Sequence, residues 1–211
     1  GYLLQEGIGV SKNVRKSIYY YRKSADKGDK DGQNNYGNIL YYGEGVNRNI
    51  KEALKYYKES AHNGSEEGLN NYIRCIYEQE EDELKEPISI SLKFIEDQIN
   101  KIENNSQLMN NFACLLSKKT PERKEQIAKY FKESADKGNS NAMFNYGNIL
   151  KHGEGIEKNY SEALKYFKAS MLKGNEQSMT NYGIMLYNGE GIPANKEVGL
   201  QYIKEASDKG D

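Results

Sequence analysis

Across 211 residues, 30 basic side chains stand against 31 acidic ones for a formal charge of −1, with the two signs interspersed, so the chain lacks the basic stripe by which nucleic-acid binders displace counterions. No apolar run approaches the roughly eighteen residues that a membrane-spanning helix needs, and no signal-peptide pattern opens the chain. With 36% hydrophobic and 29% charged residues, 18 Tyr, 20 Gly, 3 Pro and no Trp, the composition describes a water-covered helical protein whose core leans on tyrosine rings.

Read in chain order, the first motif is Gly7-Ile8-Gly9-Val10. It returns as Gly43-Glu44-Gly45-Val46, Gly153-Glu154-Gly155-Ile156 and Gly189-Glu190-Gly191-Ile192, at steps of 36, 110 and 36 residues. Self-similarity at such a period is the signature of a repeat architecture, and the long step leaves room for two further units. An Asn-Tyr-Gly anchor marks them. Asn35-Tyr36-Gly37, Asn145-Tyr146-Gly147 and Asn181-Tyr182-Gly183 recur as Asn71-Tyr72-Ile73 and Asn111-Phe112-Ala113. The spacing therefore predicts about six repeats, at 1–29 (partial), 30–65, 66–103, 104–139, 140–175 and 176–211, within a single domain spanning 1–211. A boundary between two domains at 80–87 is the alternative.

Each repeat is predicted to hold two amphipathic helices. Ala142, Tyr146, Ile149 and Leu150 share one face of a first helix, and Ala53, Tyr56, Tyr57 and Ala61 share one face of a second. The glycine pair between them permits the positive φ needed to reverse the chain, and the second helix runs to another glycine, as at Lys137-Gly138 or Lys173-Gly174. The middle repeats depart from the rule. The third turn reads Glu78-Gln79-Glu80-Glu81-Asp82-Glu83, a solvated loop or a docking site for a basic partner, and its helix is predicted to start behind Pro87. The fourth turn reads Ser117-Lys118-Lys119-Thr120-Pro121.

The segment Ala142 to Ile156, Ala-Met-Phe-Asn-Tyr-Gly-Asn-Ile-Leu-Lys-His-Gly-Glu-Gly-Ile, resembles the first helix and turn of the Sel1-like repeat family, a relative of the tetratricopeptide repeats; Ser161 to Gly174 resembles its second helix. The resemblance covers nearly the whole chain and departs from the family pattern at Ile73, at Ala113 and at both middle turns. It implies an all-α, right-handed solenoid of antiparallel helix hairpins that serves as an adaptor or assembly scaffold. Some bacterial members carry a disulfide in every repeat and have been linked to β-lactam binding, which is not implied for a chain without those cysteines.

Cys75 and Cys114 are too few and too far apart for a disulfide framework or a zinc site; they read as buried small hydrophobes in a reducing, cytoplasmic compartment. No nucleophile with its base, paired carboxylates or phosphate loop assembles, so the chain is not read as an enzyme and no catalytic, metal-binding or cofactor-binding residue is assigned. His62 and His152 each sit near a helix C-terminus, where the dipole favours an exposed imidazole. The Gly-Glu-Gly turns follow helices and carry an acid, whereas a phosphate loop follows a strand and carries lysine.

The candidate site lies beside the packing face of the first helices: Asn35, Asn38, Asn71, Arg74, Asn111, Asn145, Asn148, His152 and Asn181. First helices of a stacked array line its concave wall, and amides there offer donors and acceptors to the backbone of an extended peptide. The competing reading is that the anchor asparagines tie neighbouring helices together. A protein or peptide partner is the first expectation for function. The second is a structural segment of a longer solenoid, self-associating through uncapped terminal repeats. A third, hydrolase-like activity, requires a deep pocket enclosing His152 with carboxylates in reach.

Overall fold

Asparagine and glycine set the helix boundaries. The computed structural model describes residues 1–80, 86–102 and 105–209; these form helices and turns without a strand and gather into two units, 1–103 and 104–211, divided where the third predicted repeat meets the fourth. The first unit holds α1 (Tyr2–Glu6), α2 (Val14–Ala25), α3 (Lys30–Tyr42), α4 (Ile50–His62), α5 (Glu66–Glu78) and α6 (Ile88–Ile99). The second holds α7 (Ser106–Lys119), α8 (Lys124–Asp136), α9 (Ser140–His152), α10 (Tyr160–Leu172), α11 (Glu176–Asn188) and α12 (Lys196–Lys209). The all-α expectation is met. As predicted, α6 starts behind Pro87; Glu81, Asp82 and Glu83 of the acidic run lie outside the described residues.

The hairpin turn is closed from both sides. Gly153 ends α9 with φ +75° and donates its N–H to Ile149 O at 2.8 Å, and Gly155 repeats the left-handed conformation. The chain then runs back until Asn159 N–H donates to Leu150 O at 2.9 Å, while the Asn159 side chain caps α10 by accepting from Glu162 N at 3.0 Å. Asn13, Asn49 and Asn195 make the same backbone bond to Leu4, Leu40 and Leu186, each at 2.8 Å. Turn length is thus fixed by a bond between the start of the second helix and the end of the first.

Two features seat the second helix on the first. One is an edge-to-face ring pair: Tyr36 with Tyr56, Tyr72 with Phe94, Phe112 with Tyr130, Tyr146 with Tyr166 and Tyr182 with Tyr202, at centroid separations of 4.9, 5.5, 5.0, 4.9 and 5.3 Å. Each such pair contributes about 0.5–1.5 kcal/mol beyond its buried area. The other is the glycine one residue after the anchor ring. A Cβ on Gly147 would stand 2.8 Å from Cε1 of Phe167, and one on Gly37 2.8 Å from Cε1 of Tyr57. Both rings are fully buried and cannot retreat. Serines of the second helices add a polar tie, Ser60 Oγ donating to Lys30 O at 2.7 Å and Ser170 Oγ to Ser140 O at 2.7 Å.

Neighbouring repeats meet through the second glycine of the turn. A Cβ on Gly155 would lie 2.5 Å from Lys124 Cβ at the start of α8, and one on Gly191 2.7 Å from Ser161 N in α10. The turn glycine therefore serves close approach between repeats as well as chain reversal. The expectation that tyrosines form the core holds for part of them: Tyr21, Tyr36, Tyr41, Tyr56, Tyr57, Tyr72, Tyr130 and Tyr146 are buried, whereas Tyr2, Tyr19, Tyr20, Tyr42, Tyr77 and Tyr187 are exposed. Tyr19, Tyr20 and Tyr21 are consecutive in α2, and a helix turns only one stripe inward, so Tyr21 is buried and the other two are not.

The third repeat solves the packing differently. Ile73 stands in the place of the glycine and Ile95 in the place of the facing aromatic, both buried, so volume lost on one helix is gained on the other. With a branched side chain where glycine would allow contact, α6 stands further off α5 than the second helices of other repeats do from their first helices. A cavity of about 680 Å³ lies along α4 beside α5 and α6, lined by Leu54, Lys58, Tyr72, Ile76, Glu86 and Phe94 among others. Across it Glu86 Oε1 takes an ion pair from Lys58 Nζ at 2.6 Å and hydrogen bonds from Ser91 Oγ at 2.8 Å and Tyr72 Oη at 3.1 Å. Burial alone works to raise the Glu86 pKa, but these three donors outweigh it and hold the carboxyl below its usual range.

Two outcomes follow from this packing. Gly147→Ala is expected to destabilise the second unit by about 1–3 kcal/mol, despite the better helix propensity of alanine, and adding Phe167→Leu to it should recover part of the loss; urea unfolding of the three proteins checks the coupling. A carboxyl whose folded pKa is depressed adds stability above its unfolded pKa of about 4.3 and loses it as pH falls through the folded value. Glu86→Gln should therefore cost about 1 kcal/mol at neutral pH and flatten the fall in stability below about pH 5, as read by thermal melts across that range.

Candidate functional site

The anchor residues of α5 face those of α3. Asn71 Nδ2 donates to Asn34 Oδ1 at 2.8 Å and to Asn38 Oδ1 at 3.4 Å, and the Tyr57 hydroxyl donates to the same Asn38 oxygen at 2.8 Å. At the far end Asn34 Nδ2 donates to Glu67 Oε2 at 3.4 Å. A carboxylate only accepts, so Glu67 orients the whole row: Asn34 turns its oxygen to Asn71, Asn71 its nitrogen to Asn38, and Asn38 its oxygen inward. The Tyr57 hydroxyl stays a donor because burial pushes its pKa up.

One turn along α5 from Asn71, Arg74 lies over two rings, its Cζ 5.2 Å from the centroid of Tyr41 and 5.8 Å from that of Tyr42. Tyr41 is held in place by its hydroxyl, which donates to Glu78; burial first and then that carboxylate push its pKa up to about 12. Burial works to lower the Arg74 pKa, and the surrounding phenol oxygens of Tyr42, Tyr57 and Tyr41 more than offset it, so the guanidinium is charged. No carboxylate among the described residues pairs with it, and its buried Nε has no hydrogen-bond partner there.

These side chains border a polar cleft of about 310 Å³ within the first unit, lined by Asn35, Asn38, Asn71, Arg74, Gln5, Ile39, Tyr42 and Glu44. Four of the nine residues picked from the sequence thus converge on one cleft. Asn38 and Asn71 tie α3, α4 and α5 together, as the competing reading expects, and they also border open space. Gln5, Tyr42 and Glu44 were missed, as was Asn34, the hidden partner of Asn71. Tyr42 was within reach of sequence reasoning, because Asn35, Asn38 and Tyr42 follow the three-and-four spacing of one helix face. Glu44 belongs to the turn and accepts from Gln5 Nε2 at 3.3 Å.

The other five lie in the second unit. Asn111 accepts from Gln107 Nε2 at 2.8 Å and from Asn110 Nδ2 at 3.3 Å on its own helix. Asn145 and Asn148 on α9 and Asn181 on α11 are half-buried, and His152 is exposed at the end of α9. Here Lys151 Nζ of α9 stands 3.8 Å from Glu190 Oε2 in the turn after α11.

Among the described residues no group of His, Cys, Asp and Glu is arranged to hold a metal ion, and no helix is long and apolar enough to cross a membrane. Cys75 is buried and its thiol is pushed up to about 12, chiefly by burial; the half-buried Cys114 thiol is raised by the same cause. Both are therefore poor nucleophiles. His62 is exposed, like His152.

The Sel1 repeat family model matches residues 1–29, 30–65, 140–175 and 176–211, roughly two thirds of the chain and four of the six repeats predicted from spacing. Among solved structures, a Sel1 repeat protein from Oxalobacter formigenes superposes with a TM-score of 0.71 at 19% identity, over 99% of this chain and 84% of that one. The protective antigen c5321 of uropathogenic Escherichia coli, described as displaying an SLR fold, superposes with a TM-score of 0.59 at 19% identity, over 100% of this chain and 56% of that one. At these identities the likeness is one of fold. A comparison with curated proteins found no match. The family match, the helix hairpins at the same boundaries and the shared fold lead to one conclusion: this chain belongs to the Sel1 repeat family.

Proposed function

We propose that the chain is an interaction module that holds an extended segment of a protein partner in the first-helix cleft of its first unit. Sel1 repeat proteins are generally protein–protein interaction modules and typically non-enzymatic scaffolds. The observation that carries the reading is the cleft itself, where Asn35, Asn38, Asn71 and Arg74 border about 310 Å³ of open, polar space on elements whose backbones are fixed by packing elsewhere. Amides held by one another and by Glu67 are preorganised, which lowers the entropic cost of hydrogen bonding a peptide backbone. The predicted residues of the second unit, Asn111, Asn145, Asn148, His152 and Asn181, belong to the same reading as secondary contacts.

Self-association is the second reading. It is favoured by the apolar side chains that the first hairpin leaves exposed, among them Tyr2, Leu3, Ile8 and Val10, since such a patch commonly marks an interaction surface.

The cleft reading is tested with Asn35→Lys, which fills the cleft without removing any bond of the amide row. Binding of a captured partner, followed by titration calorimetry, should weaken at least tenfold while the thermal melt of the variant stays at the wild-type temperature. Unchanged affinity would place the partner elsewhere. Sedimentation velocity over a wide concentration range checks the second reading, which requires the sedimentation coefficient to rise with concentration.

A further inference from the structure

We infer that the cleft selects a carboxylate on its peptide ligand, received by Arg74 and Asn38. The inference rests on the peptide-binding reading and adds the ligand's chemistry to it. Three features of the cleft point the same way. Its bordering cation, Arg74, has no carboxylate partner among the described residues, and its Nε–H is buried without an acceptor. An unmet buried donor of this kind is destabilising, a cost relieved when an acceptor enters and draws the guanidinium toward it.

The second feature is the polarity of the amide row. With Glu67 orienting Asn34 and Asn71, the Asn38 oxygen already accepts from both Tyr57 Oη and Asn71 Nδ2. Asn38 is left to present its Nδ2 hydrogens, so the two cleft residues nearest in kind to a ligand site both offer donors. The third is the aromatic bed. Tyr41 and Tyr42 hold the guanidinium by cation–π contact, which limits its rotamers, and its planar fork suits the paired hydrogen bonding that carboxylates accept. Glu44, the cleft's own carboxylate, is engaged by Gln5. Lysine would supply the charge at position 74 but neither the plane nor the Nε–H.

A carboxylate can come from an Asp or Glu side chain or from a free chain terminus, and the test separates them. Random twelve-residue peptides are displayed in two formats, one with a blocked and one with a free C-terminus, and selected on the wild-type protein and on Arg74→Gln. The expected result is enrichment of Asp or Glu at one fixed position in the blocked format, or enrichment confined to the free-terminus format. Selected peptides should bind Arg74→Gln at least tenfold more weakly and Arg74→Lys at an intermediate level. In the wild-type protein the Arg74 Nε–H resonance should move downfield on adding such a peptide, a readout that needs no variant. Peptides that bind through α3 and α5 without acidic preference, or equally well to Arg74→Gln, overturn this inference and leave the peptide-binding reading standing. Selection of no peptide, or only of peptides that leave the α3 and α5 resonances unmoved, overturns both.

Discussion

The close seat of one helix on the glycine of another governs this structure. At Gly147 and Gly37 the absence of a Cβ lets the buried rings of Phe167 and Tyr57 press against helix backbone, and the neighbouring edge-to-face pair then locks the rotation of the hairpin about that point. Because interiors are close-packed, a single added carbon has nowhere to go. The turn follows from this contact. Only a chain that reverses within Gly153 to Asn159, and bonds Asn159 N–H back to Leu150 O, can bring the second helix down in register.

That arrangement also creates the free surface. One side of each first helix is spent on its own second helix and on the repeat before it, which leaves the adjoining stripe of α3 and α5 to meet each other through Asn34, Asn38 and Asn71. The result is a wall on packed helices whose side chains are polar, charged at Arg74 and directed by Glu67. Side chains carried on packed helices are positioned more narrowly than those on loops. The third repeat shows what happens when the seat changes: Ile73 and Ile95 exchange volume and α6 stands away from α5, while Glu86 ties it to α4 and α5 through Lys58, Tyr72 and Ser91.

Most of the fold was legible in the residues because its determinants are local and repeated. The glycine pairs, the anchor tyrosines and the terminal glycines each carry a backbone requirement that reappears at a fixed step, and Pro87 marked the start of α6 despite the missing turn motif. The abundance of asparagine was only half understood. Asn13, Asn49, Asn139, Asn159 and Asn175 serve as helix caps, a role set by their place just before each helix. The cleft was legible in part: Asn35, Asn38, Asn71 and Arg74 could be assigned to one face by helical spacing. Their partners could not, because the bond from Asn71 to Asn34 and the stacking of Arg74 on Tyr41 and Tyr42 depend on how far α5 is displaced along α3. Nothing in the spacing of either helix encodes that register.

Hydrogen–deuterium exchange on the chain with and without a bound partner tests the central claim most directly. Slower exchange confined to the facing turns of α3 and α5, around Asn35 to Tyr42 and Asn71 to Glu78, is the predicted result. Protection that appears instead along α4 and α6, or only in the second unit, would contradict it.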